Sequence, residues 1–289
     1  MAWIVAIILA YLFFALSSLG DKLVLKTPAT KAISYTFFAG ILNFFVFLLI
    51  PLFGLEIPQA AMIFWLAADA AVFLLALYFG FRAVDDFEVS RASATIGGVQ
   101  PIFIFFIAWM FFGYQGMGVE DFAAFVFLVL GSFLISFEKK PQLTKKFLKL
   151  TLFSALMYSF DYVLIKYIYS ELGFINGFVM RSFFIGIFAL SLLLKKSNRR
   201  EILKKKNISN KKLQKTFLAT QLCGGAAAIL QNYGVYLAPV AMLPLANSLR
   251  GIQYIFLLVL TSFISKAFPK VLKEEITKKV LAQKIAAIV

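Results

Sequence analysis

Asp69 stands near the middle of an apolar run from Ala60 to Phe81. An ionisable side chain in hydrocarbon is costly, so it must face protein or a water-filled space, and it marks a functional position by default. Helical spacing sets Trp65, Ala68 and Val72 on the same face. A carboxylate there has two chemical uses, holding a cationic group or carrying a proton that couples transport. The alternative is a hydrogen bond to a neighbouring helix.

A second group is Gln221, Gly224, Gly225, Ala228, Gln231 and Asn232, whose spacing makes one small and polar stripe on a helix. Such a stripe admits a second helix or leaves room for a ligand. The glycines read as packing positions. Gln231 and Asn232 are the binding candidates, because an amide donates and accepts without a net charge to desolvate. A third group is Pro244, Asn247, Arg250, Gly251 and Tyr254. Proline inside a span frees a carbonyl and permits a kink. Arg250 suits a carboxylate or a phosphate, or it pairs with Asp69 or Asp161 in a structural role. The equivalent face in the first half, Ala94, Gly97, Gly98 and Pro101, is nearly devoid of polarity. Asp161, one turn from Tyr158 and beside Tyr162, reads as closer to a membrane surface, and Lys166 as an interfacial anchor.

Several chemistries are excluded or unsupported. The 289 residues include no histidine and one cysteine, Cys223, so imidazole ligands, the commonest general base and a disulfide framework are all missing. No G-x-x-x-x-G-K-[ST] loop is present to hold a nucleotide. No two carboxylates sit one turn apart within a span, and Asp85 and Asp86 are adjacent, which points them apart on a helix. No cofactor, metal or enzymatic activity is expected. A membrane-embedded lipid-modifying enzyme and a non-transporting scaffold or scramblase are the alternatives to transport.

The elements that carry these residues follow from composition. Of the chain 62% is hydrophobic and 15% charged, with 35 Phe and a mean hydropathy of +0.88, outside the range of soluble domains. A bilayer core of ~30 Å needs about 20 helical residues. The apolar runs predict an all-α polytopic membrane protein of about ten transmembrane helices, over 2–24, 32–53, 60–82, 88–112, 117–137, 148–169, 174–194, 215–236, 239–263 and 277–289. The first is expected to be a retained span rather than a signal peptide, since no basic segment precedes it. The tenth is short and is expected to be truncated.

Charge sets orientation, because basic residues near span ends remain on the cytoplasmic side. At the loops 1-2, 3-4, 5-6, 7-8 and 9-10, span edges included, stand 3, 2, 5, 10 and 5 Lys and Arg, whereas the intervening loops hold none. The basic loops, including 195–215, are therefore expected inside, with the N-terminus outside. The net charge of +15 reads as topology rather than as a nucleic-acid surface. Anionic lipid headgroups are the expected partners of 195–215 and 264–279. The sequon Asn207-Ile208-Ser209 falls on that inner side.

Five spans make an odd unit, so a second copy must enter the membrane inverted. The charge distribution swaps sides between residues 1–140 and 141–289 as inversion requires. Three echoes occur in the same order. Asp21-Lys22-Leu23-Val24-Leu25-Lys26 parallels Asp161-Tyr162-Val163-Leu164-Ile165-Lys166, Phe37-Phe38-Ala39-Gly40-Ile41 parallels Phe183-Phe184-Ile185-Gly186-Ile187, and Gly98-Val99-Gln100-Pro101-Ile102-Phe103 parallels Gly251-Ile252-Gln253-Tyr254-Ile255-Phe256.

Together with Ser90-Arg91-Ala92-Ser93-Ala94-Thr95 leading into Gln100-Pro101-Ile102-Phe103, Gly131, and Arg181 and Tyr35 early in the second helix of each half, this pattern resembles the drug/metabolite transporter superfamily, in its EamA-like branch. The chain departs from it at Gly113-Tyr114-Gln115, where an acidic residue is common, in its short tenth span and in its membrane polarity. The resemblance implies two inverted five-helix repeats and a secondary, non-ATP transporter of small organic metabolites, such as an amino-acid or metabolite exporter working by alternating access in the cell membrane. A small-molecule substrate, the lipid bilayer and a second copy in a homodimer are the partners it implies.

Overall fold

The structure, a computed structural model, describes residues 2–24, 31–50, 54–87, 89–113, 116–136, 144–203 and 211–267. The tenth expected span, the sequon and most of 264–279 lie outside the described residues, as do Tyr114 and Gln115 and the side chains of Asp21, Lys22, Ser90, Arg91, Ala94 and Tyr254.

The described chain is built of helices, with no strand among the described residues. They are α1 (Ala2–Val24), α2 (Ala32–Ile41), which continues as a 3-10 helix over Leu42–Leu49, α3 (Ala60–Asp86), α4 (Val89–Phe112), α5 (Val119–Ser136), α6 (Lys145–Leu172), α7 (Phe174–Ser191), the short α8 (Lys196–Ile202), α9 (Lys211–Leu237), α10 (Leu243–Ser248) and α11 (Gly251–Ala267). Six helical stretches among the described residues are long and apolar enough to cross a membrane: Ala2–Leu19, Ala60–Asp86, Thr95–Phe112, Lys145–Leu172, Phe174–Leu194 and Val240–Thr261.

Local chemistry sets the boundaries. Thr144 caps α6 by accepting the Phe147 N–H at 3.1 Å. Glycines with positive φ, Gly113 and Gly173, follow α4 and α6, where a side chain would strain the turn. The ninth expected span is not continuous. Pro244 occupies the first turn of α10, where its missing N–H costs no intrahelical bond, and the chain breaks at Leu249 and Arg250 before α11. The interruption thus lies five to six residues beyond the proline on which a kink was expected.

The helices interlock. α1 runs along α9 and touches α11, while α6 runs along α3 and touches α4. One apolar core joins them, with Ile7, Leu66, Ile104, Ile168, Val235 and Leu243 buried in it. α2 packs on α7 through glycines of the second sequence echo. A Cβ added at Gly40 would meet Ala189 Cβ at 2.5 Å, and one at Gly186 would run into the Phe44 ring. Ala189 can retreat only with its backbone, so Gly40→Ala is expected to destabilise by about 1–3 kcal/mol, as overpacking does. Gly225 has nothing within 4 Å of such a Cβ, so Gly225→Ala should leave thermal unfolding in detergent unchanged. Equal melting of the two variants would refute this packing argument.

One end of the bundle is charged. Lys31 Nζ lies 2.9 Å from Glu201 and Lys146 Nζ 3.0 Å from Asp86. Asp85 accepts the Ala32 N–H at 2.8 Å, satisfying a first-turn donor of α2. Asp85 and Asp86 therefore tie helix ends together.

Candidate functional site

Three helices bring three ionisable groups to one buried point. α3 supplies Asp69, α6 supplies Asp161 and α7 supplies Arg181, with relative exposures of 0%, 6% and 4%. Arg181 Nε donates to Asp69 Oδ2 at 2.7 Å, and Nη2 donates to Asp161 Oδ1 at 2.5 Å. The Phe73 ring, one turn beyond Asp69 on α3, lies 4.9 Å from the guanidinium carbon, close enough for a cation–π contact. Asp69 Oδ1 has no hydrogen-bond partner, nor has the Oγ of Ser182, which follows Arg181 in the chain.

At a rise of ~1.5 Å per residue, Asp69 lies about 14 Å from Ala60, Asp161 about 17 Å from Leu172 and Arg181 about 11 Å from Phe174. All three helix ends are opposite the charged end, so the triad is deep within the bundle. Asp161 is accordingly not near a surface, as its neighbours Tyr158 and Tyr162 led us to expect. Its partner is Arg181 rather than Arg250. With both carboxylates ionised the centre carries one net negative charge at a buried position of low dielectric, and it can accept a proton or hold a cationic group.

No protein-family model matches the chain, and no curated protein does. The fold itself has precedent. One solved structure, described only as "Crystal structure of protein", superposes at a TM-score of 0.65 over 99% of this chain and 93% of its own, with 13% sequence identity. At that identity the likeness is one of fold alone.

The other expected residues divide into two groups. Arg250, at the break between α10 and α11, is half-buried. Its side chain lies against the bare backbone of α4, so that a Cβ at Gly97 would meet its Cδ at 3.4 Å. Its Nη1 donates to Gln100 Oε1 at 3.4 Å. Tyr158 is half-buried on α6, within electrostatic reach of both Arg250 and Asp161. Asn247 is buried, its carbonyl accepts the Tyr11 hydroxyl at 3.3 Å, and its side-chain Oδ1 has no partner. Gly98 and Pro101 are buried on α4, and Gly251 opens α11.

None of the remainder is hydrogen-bonded to the triad. Trp65 joins an aromatic cluster with Phe111 and Tyr167. Asn232 accepts the Tyr169 hydroxyl at 2.7 Å and donates to the Ala228 carbonyl, so its amide is occupied in packing. Gln231 is half-buried nearby, Gly224 approaches Ser17, and Gly225 is exposed. Lys166 is buried rather than anchored at an interface, and its Nζ donates to the Tyr236 carbonyl at 2.7 Å. That carbonyl belongs to the last turn of α9, where helices leave acceptors unsatisfied and favour a cation. A pocket of about 30 Å³ opens at the far end, among Phe105, Trp109, Met117 and Pro244, and none of the triad lines it.

Arg181 was reached in the sequence only through the family resemblance. Charge balance narrows the choice without making it. Two aspartates within apolar spans demand a cation, and Arg181 and Arg250 each share a span with no carboxylate.

Proposed function

We propose that the chain is a secondary transporter of small organic metabolites, similar to the EamA-like drug/metabolite transporters, in which two inverted halves exchange access to a central site. The observation that carries this reading is the buried triad, which joins Asp69 of the first half to Asp161 and Arg181 of the second. A charged centre held between halves deep in a membrane bundle is expensive for a purely structural assembly, and is where transporters place substrate and coupling-ion sites.

The packing supports the inverted pair. The first helix of each half lies along the third helix of the other, α1 on α9 and α6 on α3, and touches the fourth, α11 and α4 respectively. The echoed glycines Gly40 and Gly186 both fall in the contact between α2 and α7, the second helices of the two halves. Exchanging the halves preserves these relations, as a twofold in the membrane plane would. We place the protein in the cell membrane with the charged end in the cytoplasm.

Reconstitution tests the function directly. Purified protein in proteoliposomes is expected to give saturable flux of a small organic solute without ATP, and flux that never rises above empty vesicles across a broad solute panel would refute transport. Orientation has its own readout. With Cys223→Ser as background, Ser197→Cys on the exposed face of α8 should resist an impermeant maleimide in intact cells and react after lysis. Strong labelling of intact cells would reverse the polarity.

A further inference from the structure

We infer that Arg250 is the recognition group for a substrate oxyanion, a carboxylate or phosphate, so that the transported molecule is anionic at that end. This rests on the transport reading and deepens it by naming the substrate class.

Arg181, Lys166 and Arg250 are the buried or half-buried cations set within the apolar spans of the described residues. Arg181 is neutralised twice over by Asp69 and Asp161. Lys166 is held by the Tyr236 carbonyl in the last turn of α9. Arg250 differs from both. No carboxylate among the described residues lies within ion-pair distance of it, and its side chain's one hydrogen bond is the long contact to a neutral amide, Gln100. A guanidinium within an apolar span requires a counter-charge or an aqueous surface, and the two buried aspartates, Asp69 and Asp161, are both bonded to Arg181.

The surroundings are shaped to present this group. Gly97 gives the side chain a flat backbone to lie on, since a Cβ there would come within 3.4–3.8 Å of Cδ, Nε and Cζ. Arg250 as a residue is half-buried rather than sealed in. Its planar fork matches the two oxygens of a carboxylate or phosphate. Tyr158, half-buried on α6 and within the electrostatic range of Arg250, is the neighbouring hydroxyl we assign to the same oxyanion. The break at Leu249 and Arg250 puts the arginine at a discontinuity of the helix, where transporter sites use unwound backbone.

The test uses the full chain in detergent and in vesicles of phosphatidylcholine alone, so that no anionic lipid can stand in for the ligand. Thermal stabilisation is measured with sodium benzoate, inorganic phosphate and tetraethylammonium chloride, on wild type, Arg250→Lys and Arg250→Gln. At least one of the two anions should stabilise wild type, and Arg250→Gln should weaken that binding by roughly tenfold or more, the worth of a charge-assisted hydrogen bond. Arg250→Lys should recover part of it, and flux of the anion should follow the same order. Should Arg250→Gln fail to fold, Arg250→Lys and Tyr158→Phe still decide the matter, since each should weaken anion binding while leaving tetraethylammonium unaffected. Saturable flux of neutral or cationic solutes alone, unchanged by these substitutions, overturns the assignment and leaves transport standing. An arginine effect that appears only when phosphatidylglycerol is added reassigns the group to lipid and also overturns it. Absence of both flux and anion stabilisation overturns the two readings together.

Discussion

Replacing Arg181 with leucine is expected to cost about 3–5 kcal/mol of stability and most of the monodisperse protein, the usual result of removing one partner from a buried ion pair. The reason is the pair left behind. Asp69 and Asp161 are both buried, and each gives an oxygen to the same guanidinium. Without it two carboxylates face each other in a medium that solvates neither. The effect should be reversible by chemistry alone. Adding Asp69→Asn and Asp161→Asn to Arg181→Leu removes all charge from the centre, and replacing a whole buried ionic group by neutral side chains is often close to neutral. Melting temperature and size-exclusion profile in detergent would report both results. If Arg181→Leu melts with wild type, or the triple variant is no better than the single one, the triad is not what holds these helices.

On the transport reading proposed above, with Asp69 taken as the proton carrier, Asp69→Asn alone should have the opposite profile, near-normal folding with lost coupling. The amide oxygen can still accept the Arg181 Nε bond, and Asp161 still neutralises the guanidinium. What disappears is the net negative charge, and with it the capacity to load and release a proton at the unpartnered Asp69 Oδ1. In proteoliposomes a pH gradient should no longer drive accumulation. Exchange of labelled for unlabelled substrate, which needs no net proton movement, should persist. Gradient-driven accumulation at the wild-type rate in Asp69→Asn would remove this residue from the coupling step.

The long spans were legible because hydropathy and helix length speak directly to one another. The stretch expected over 2–24 is α1, Ala2–Val24, and that over 174–194 is α7 with its terminal 3-10 turn, Phe174–Leu194. Hydropathy carries no information on pitch or continuity, so the 3-10 run at Leu42–Leu49 and the break at Leu249 and Arg250 passed unseen within apolar stretches. Asp69 could be singled out as a lone charge in an apolar run. Its partner could not, because two arginines, Arg181 and Arg250, were equally available to it, and only packing between distant helices decides which is reached. The same limit misplaced Asp161 and Lys166. Neighbouring tyrosines and a position near a span end describe depth along one helix, not what the other helices bring to meet it.

Arg181 grips one carboxylate on each of two neighbouring helices, and its own helix contacts α2 as well as α3. In the transport cycle proposed here those helices cannot simply slide apart at that level, because separation would expose bare charge to lipid. They can only tilt about it. The ion cluster then serves as a fulcrum, and any motion that widens one mouth of the protein must narrow the other.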